Sequence, residues 1–192
     1  MKIITATLAL VLILGTIKAF AADPLQIYPT FWGTVATTYD LDPYVLYSIA
    51  LLESRRISKK DGLVRPWPWA ITVNGPKGTK PKSHYPTTKK DAKKLLKDIL
   101  TKTDNVDVGL MQVNVHYHGH RVPDPMDLLD LETNLIVAGQ ILAEAIKSSP
   151  GELVTGVGRY HSWRAEKSLD YGYRVLTLTK NLREASNEPK TK

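Results

Sequence analysis

The sequence predicts a mainly α fold of the α+β kind: a single helical domain with a small strand or hairpin insertion. Apolar residues recur at helical spacing in several segments, and one stretch between them, 66–86, is broken by prolines and glycines instead. The chain has 192 residues, enough for one hydrophobic core of ordinary size once an N-terminal export signal is set aside.

That signal comes first. Lys2 supplies a positive start, Ile3 to Ile17 form an apolar run, and Ala19-Phe20-Ala21 is a small-x-small cleavage site. Residues 1–21 are therefore expected to be removed, leaving a domain over 22–183 and a flexible polar tail over 184–192. The apolar run is shorter than the roughly 20 residues that cross a bilayer, and no second span follows. The expected location is the periplasm, with no stable membrane anchor after cleavage. There is no cysteine, so an exported chain must hold together without disulfides and lacks the thiol of a lipid-anchored precursor. The formal charge is +7, and Lys2 and Lys18 of the signal account for only two of the cations. The surplus favours anionic partners, among which cell-wall polymers and lipid head groups meet an exported protein before nucleic acid does.

Asp42-Pro43 is a helix start, a capping side chain followed by proline in the first turn, and helical periodicity continues to about Arg56. The stretch 66–86, with Trp67-Pro68-Trp69 and Asn74-Gly75, reads as an inserted loop with a short hairpin. From Thr88 to Thr101, Ala92, Leu95, Leu96, Ile99 and Leu100 form one apolar stripe, and lysines fill most of the other positions. Asp130 to Lys147 carries Leu135, Ala138, Ile141, Leu142 and Ala145 at helical spacing and stops at Ser149-Pro150-Gly151. Glu152 to Tyr160 is a further short helix. A last one begins near Lys167, its apolar face read as Tyr173, Leu176, Leu178 and Leu182.

At about 100° per residue, Leu46, Ile49, Ala50 and Glu53 share one narrow sector of the first helix, with Ser48 and Arg55 pointing away. A carboxyl on an apolar stripe loses hydration, which favours its protonated form, as general-acid chemistry requires. The alternative is an acid paired with a buried arginine or capping a neighbouring helix. The run Gly109-Leu110-Met111-Gln112-Val113-Asn114 suits a sugar-binding wall. Glycine permits close approach to the backbone, Met111 offers a polarisable surface, and Gln112 and Asn114 can bond hydroxyl and N-acetyl groups. An ordinary buried turn is the competing reading.

Glu53-Ser54 at the end of an apolar helix, Gly109 to Asn114, Asn134 to Leu142 and Tyr160-His161-Ser162, in that order, resemble the lytic transglycosylases with a soluble-lytic-transglycosylase, goose-lysozyme-like catalytic domain. The likeness runs from roughly Ile27 to Leu176. Arg65-Pro66-Trp67-Pro68-Trp69, Val73-Asn74-Gly75 and Val106-Asp107-Val108 are similar to the branch that accompanies conjugation machinery, secretion systems and pili.

The resemblance implies a lysozyme-like fold and cleavage of the β-1,4 bond between N-acetylmuramic acid and N-acetylglucosamine, with 1,6-anhydromuramyl ends and no cofactor or metal. Glu53 would be the catalytic acid and then the base. Ser54, Gly109, Leu110, Met111, Gln112 and Asn114 would form the sugar-binding wall, and Tyr160 would position or hydrogen-bond the acid. The implied partners are peptidoglycan strands and components of a conjugation, secretion or pilus apparatus, not nucleic acid. Where much of the family has Tyr-Asn-Ala-Gly, this chain has Tyr160-His161-Ser162-Trp163, so His161 is read as a structural or subsite residue. Asp107 is the nearest candidate for a second acid. A goose-type muramidase using water and a non-catalytic wall-binding scaffold are the alternatives.

Three other features have a plain reading beside a functional one. His116, His118 and His120 alternate and on a strand could hold a metal, but a loop surface with polar histidines is the commoner arrangement. Lys89, Lys90, Lys93, Lys94 and Lys97 read as a solvated face, or as a contact for anionic wall polymers or membrane. Trp67 and Trp69 either stack on sugars or pin the insertion to the core.

Overall fold

The computed structural model describes residues 31–58, 62–76 and 78–187. The expected signal peptide lies outside the described residues, as does the tail beyond Asn187. Among the described residues there are seven α-helices and two small antiparallel sheets, and no helix is long and apolar enough to cross a membrane.

Helix α1, Phe31–Thr38, precedes the first helix expected from the sequence. Helix α2 is Pro43–Ser54, capped by Asp42, whose carboxylate accepts from the Tyr44 amide at 2.9 Å. It stops two residues before the expected end, because Arg55 turns extended and begins strand β1, Arg55–Ile57. This strand pairs with β2, Val64–Pro66. A hairpin therefore follows the helix directly, and apolar periodicity carried no signal for it in so short and exposed a stretch.

The insertion holds β3, Ile71–Val73, and β4, Lys82–His84, as an antiparallel pair. Their connection spans 74–81, wider than a two-residue Asn-Gly turn, and Thr79 closes back on Pro76. Trp67 is fastened by its indole N–H to the Pro86 carbonyl at 2.8 Å, and Trp69 packs against the main core. Both tryptophans pin the insertion.

Helix α3, Lys89–Leu100, buries Ala92, Leu96 and Ile99 and turns its lysines outward; Lys89 pairs with Asp130 at 2.7 Å. Strands β5, Val106–Val108, and β6, Val113–Asn114, complete a sheet of order β4-β3-β5-β6. A one-turn helix α4, Val115–His118, and two 3-10 turns lead to α5, Leu131–Lys147. Helix α5 buries all five stripe residues read from the sequence.

Helices α6, Leu153–Arg159, and α7, Ala165–Asn187, make the most extensive helix contact of the fold. A Cβ on Gly158 would lie 1.8 Å from the Ser168 carbonyl oxygen, and one on Gly172 would lie 2.0 Å from that of Val154. The two backbones touch through these glycines. Helix α7 runs through 184–187, which had been read as part of the tail. Its buried face differs from the expected one: Ser168, Tyr171, Val175, Thr179 and Leu182 are buried, whereas Tyr173 is 61 % exposed and Leu176 and Leu178 are half-buried. Small and polar residues carry much of this contact, so an apolar count misplaces its phase. Packing of α7 also buries Ser48, which had been placed on the outer face of α2; its hydroxyl accepts from Thr179 at 2.9 Å. One main core joins Leu46, Ile49 and Ala50 of α2 to Ile71, Val106 and Val108 of the sheet and to Leu135 and Leu142 of α5.

Candidate active site

A cleft of about 810 Å³ lies between the sheet and the helical half of the molecule, bordered by Glu53 on α2, Asp107 and Asn114 on the sheet, Glu144 on α5 and Tyr160 to Trp163 after α6. Four of the residues singled out from the sequence, Glu53, Gln112, Asn114 and Tyr160, border it, as does Asp107.

Glu53 ends the apolar face of α2, and its side chain is 17 % exposed. Its Oε1 accepts the Tyr171 hydroxyl at 2.5 Å and lies 3.7 Å from His161 Nδ1. The His161 and Tyr171 rings stack face to face, 4.6 Å between centroids and 4° from parallel. Burial, together with the negative charge of Glu53, pushes the Tyr171 phenol well above its ordinary range, so it remains a donor. With Oε1 engaged, Oε2 is the oxygen available to a ligand.

The expected hydrogen bond from Tyr160 to the acid is not formed. The Tyr160 hydroxyl donates to the Met111 carbonyl at 2.8 Å. Tyr171, absent from the sequence-derived site, holds Glu53 instead. Its signal was weak: a tyrosine within a helix whose buried face is half polar.

Asp107 sits on the opposing strand with both oxygens engaged, by the Asn74 amide and by the Asn114 amide, each at 2.7 Å. Burial outweighs these two bonds and raises its carboxyl above the ordinary range, and the nearby Glu53 charge adds to the rise. Asn114 also caps α4 through its carbonyl oxygen. Its amide is thus fixed from both ends.

The Gly109 to Gln112 segment is a turn between β5 and β6, and most of it lies behind the cleft. Gly109 has φ +83°, and a Cβ there would lie 2.4 Å from the Asn134 amide nitrogen. The glycine admits the Asn134 side chain, not a ligand. Leu110 and Met111 are buried; Met111 has 0 % exposure and offers no surface to a sugar. Ser54 is buried too, and its hydroxyl bonds the Ala50 and Leu110 carbonyls and the Trp67 amide. Ser54, Gly109, Leu110 and Met111 therefore shape the wall from inside, a consequence of packing that a linear motif does not reveal.

Asn134, fully buried, accepts from the Met111 amide and donates to the Val108 and Leu128 carbonyls, all at 2.9 Å. Gln112 holds φ +49°, uncommon outside glycine. Its amide nitrogen is tied to the Ala70 and Gly109 carbonyls, so those bonds leave its side-chain carbonyl oxygen unused.

The three alternating histidines do not share a strand. They fall on α4 and the following 3-10 turn, with His116 paired to Asp104 at 3.0 Å. His118 borders the cleft, and burial together with Arg121 holds its imidazole below the ordinary range. Among the described residues no group of three His, Cys, Asp or Glu side chains is placed to hold a metal. Comparison with family models, curated proteins and solved structures finds no match to this chain.

Proposed function

We propose that the chain is an exported, lysozyme-like peptidoglycan lytic transglycosylase with Glu53 as its acid. The observation that carries this reading is a half-buried glutamate on a large cleft, one oxygen held by Tyr171 and the other open. In the proposed step, Glu53 Oε2 protonates the oxygen leaving C1 of N-acetylmuramic acid. The resulting carboxylate then takes the proton of the muramyl 6-hydroxyl as that oxygen closes on C1, giving a 1,6-anhydro end. The proton count balances, and Glu53 returns to its protonated form. Service to a conjugation, secretion or pilus apparatus in the periplasm belongs to the same proposal and rests on the motifs that resemble that branch.

A second reading draws on Asp107. A helix-borne glutamate and a strand-borne aspartate border one cleft, and glycoside hydrolysis by water, retaining or inverting, uses two carboxyl groups. Under that reading water, not the 6-hydroxyl, completes the reaction. Mass spectrometry of digested sacculi decides: anhydromuramyl ends support transglycosylation and reducing ends support hydrolysis. Glu53→Gln is expected to abolish lysis in either case, and undiminished lysis by that variant overturns the assignment of the acid.

A further inference from the structure

The cleft contains one arginine whose charge nothing nearby answers. Glu144 is held by Arg121 through two bonds of 2.6 and 2.8 Å, and Asp107 and Glu53 have the partners described above. Arg159 also borders the cleft, and among the described residues it has no carboxylate within ion-pair distance. Its Nη1 donates to the Ser148 carbonyl at 2.7 Å and to the Ser148 hydroxyl at 2.8 Å. Its guanidinium lies 4.9 Å from the centre of the Trp163 ring. These contacts fix the plane of the guanidinium and leave its Nε and Nη2 donors unspent. Trp163 is 69 % exposed, a large apolar surface that borders the cleft beside Arg159.

We infer that Arg159 and Trp163 form a subsite for the carboxylate borne by a muramyl residue, so that the cleft selects acid-bearing glycan strands over neutral ones. The inference rests on the glycan-cleaving reading above and adds the two residues that recognise the acid of the substrate. An indole face accepts the apolar side of a pyranose ring, and a fixed guanidinium matches a carboxylate in two-point geometry. A uniformly charged polyanion fits poorly, since it would have to pass Glu53 and Asp107 in the same cleft. A strand in which neutral and acid-bearing sugars alternate meets one unpaired cation, two hydrogen-bonded acids and a third acid, Glu144, that Arg121 neutralises, which is what the walls present. The carboxylate has two sources on such a strand: the peptide stem, or the lactyl ether once the stem is removed.

The test uses the full chain carrying Glu53→Gln, so that strands are held and not cut. Binding is measured to peptide-bearing strands, to amidase-stripped strands that keep the lactyl group, and to N-acetylglucosamine oligomers of equal length. Acid-bearing strands are expected to bind about tenfold more tightly than the neutral oligomer. Arg159→Gln should remove that preference and Arg159→Lys should keep part of it, each with an unchanged circular-dichroism melt. Preference confined to peptide-bearing strands assigns the stem; preference shared by stripped strands assigns the lactyl group. A preference that survives Arg159→Gln, or equal binding of all three strands, overturns the subsite. If the unsubstituted chain still cuts sacculi, the glycan-cleaving reading survives that failure. Absence of both binding and cleavage sinks the two together.

Discussion

Glu53 and Asp107 are two carboxyl groups on one cleft with different surroundings, and the difference sets what each can do. Glu53 keeps an oxygen free and takes one bond from a phenol held in its neutral, donating form. Replacing Tyr171 with phenylalanine removes a bond of about 1.5–3 kcal/mol. The expected result is a fall in kcat of roughly 10- to 100-fold with KM little altered, read from turbidity loss of sacculi at several concentrations. A matching rise in KM would count against a positioning role. Asp107 has both oxygens bonded and its carboxyl raised by burial. The native state therefore holds that proton more tightly than the unfolded chain does. The resulting stability is present below the unfolded carboxyl range and is lost as pH rises through the higher native value. Relative to Asp107→Asn, the parent should gain stability as pH falls from about 7 to about 4, measured as the shift in urea midpoint. A constant difference would contradict the raised value.

The turn between β5 and β6 is held as a unit by Asn134, and the motif owes its sequence to that packing. Three bonds from one buried amide satisfy Met111, Val108 and Leu128. Asn134→Ala leaves these groups unpaired and should cost about 3 kcal/mol. Gly109→Ala meets both the positive φ and the Asn134 side chain, for a loss of about 2–4 kcal/mol. The double variant should lose less than the sum, because the shorter side chain at 134 removes the obstacle and leaves only the backbone term. Urea denaturation of the three proteins checks this, and strict additivity would argue that the two residues act separately. The cap at Asp42, the helix starts near Thr88 and Asp130 and the stripes of α3 and α5 were legible in the sequence. Each depends on neighbours within a turn or two of the same helix. The hairpin after Ser54 and the phase of α7 were not, since short exposed strands and polar helix contacts leave no periodic trace.

At the scale of the whole molecule, the crossing of α6 and α7 brings the site together. Its closeness depends on Gly158 and Gly172, each against the backbone of the other helix. Gly158→Ala must push the helices apart, with a loss of about 3–5 kcal/mol and a melting temperature lower by about 10 °C or more. Because Tyr160 and His161 directly follow α6 and Tyr171 lies on α7, lytic activity should fall further than the population of unfolded protein explains. Activity loss that tracks unfolding alone would separate the crossing from the site. The chain's own order of residues determined the helical class, most helix starts and the place of Glu53 on the apolar face of its helix, because helical period, capping and the mismatch of an acid on an apolar stripe are properties of near neighbours. Only the tertiary structure decided that Tyr171, 118 residues away, holds that acid, that Asp107 faces the same cleft, and that Ser54 and Met111 lie behind the wall. Those outcomes depend on which helix face meets which strand. Long-range packing sets that choice through glycines and polar contacts whose role appears only when both partners are in place.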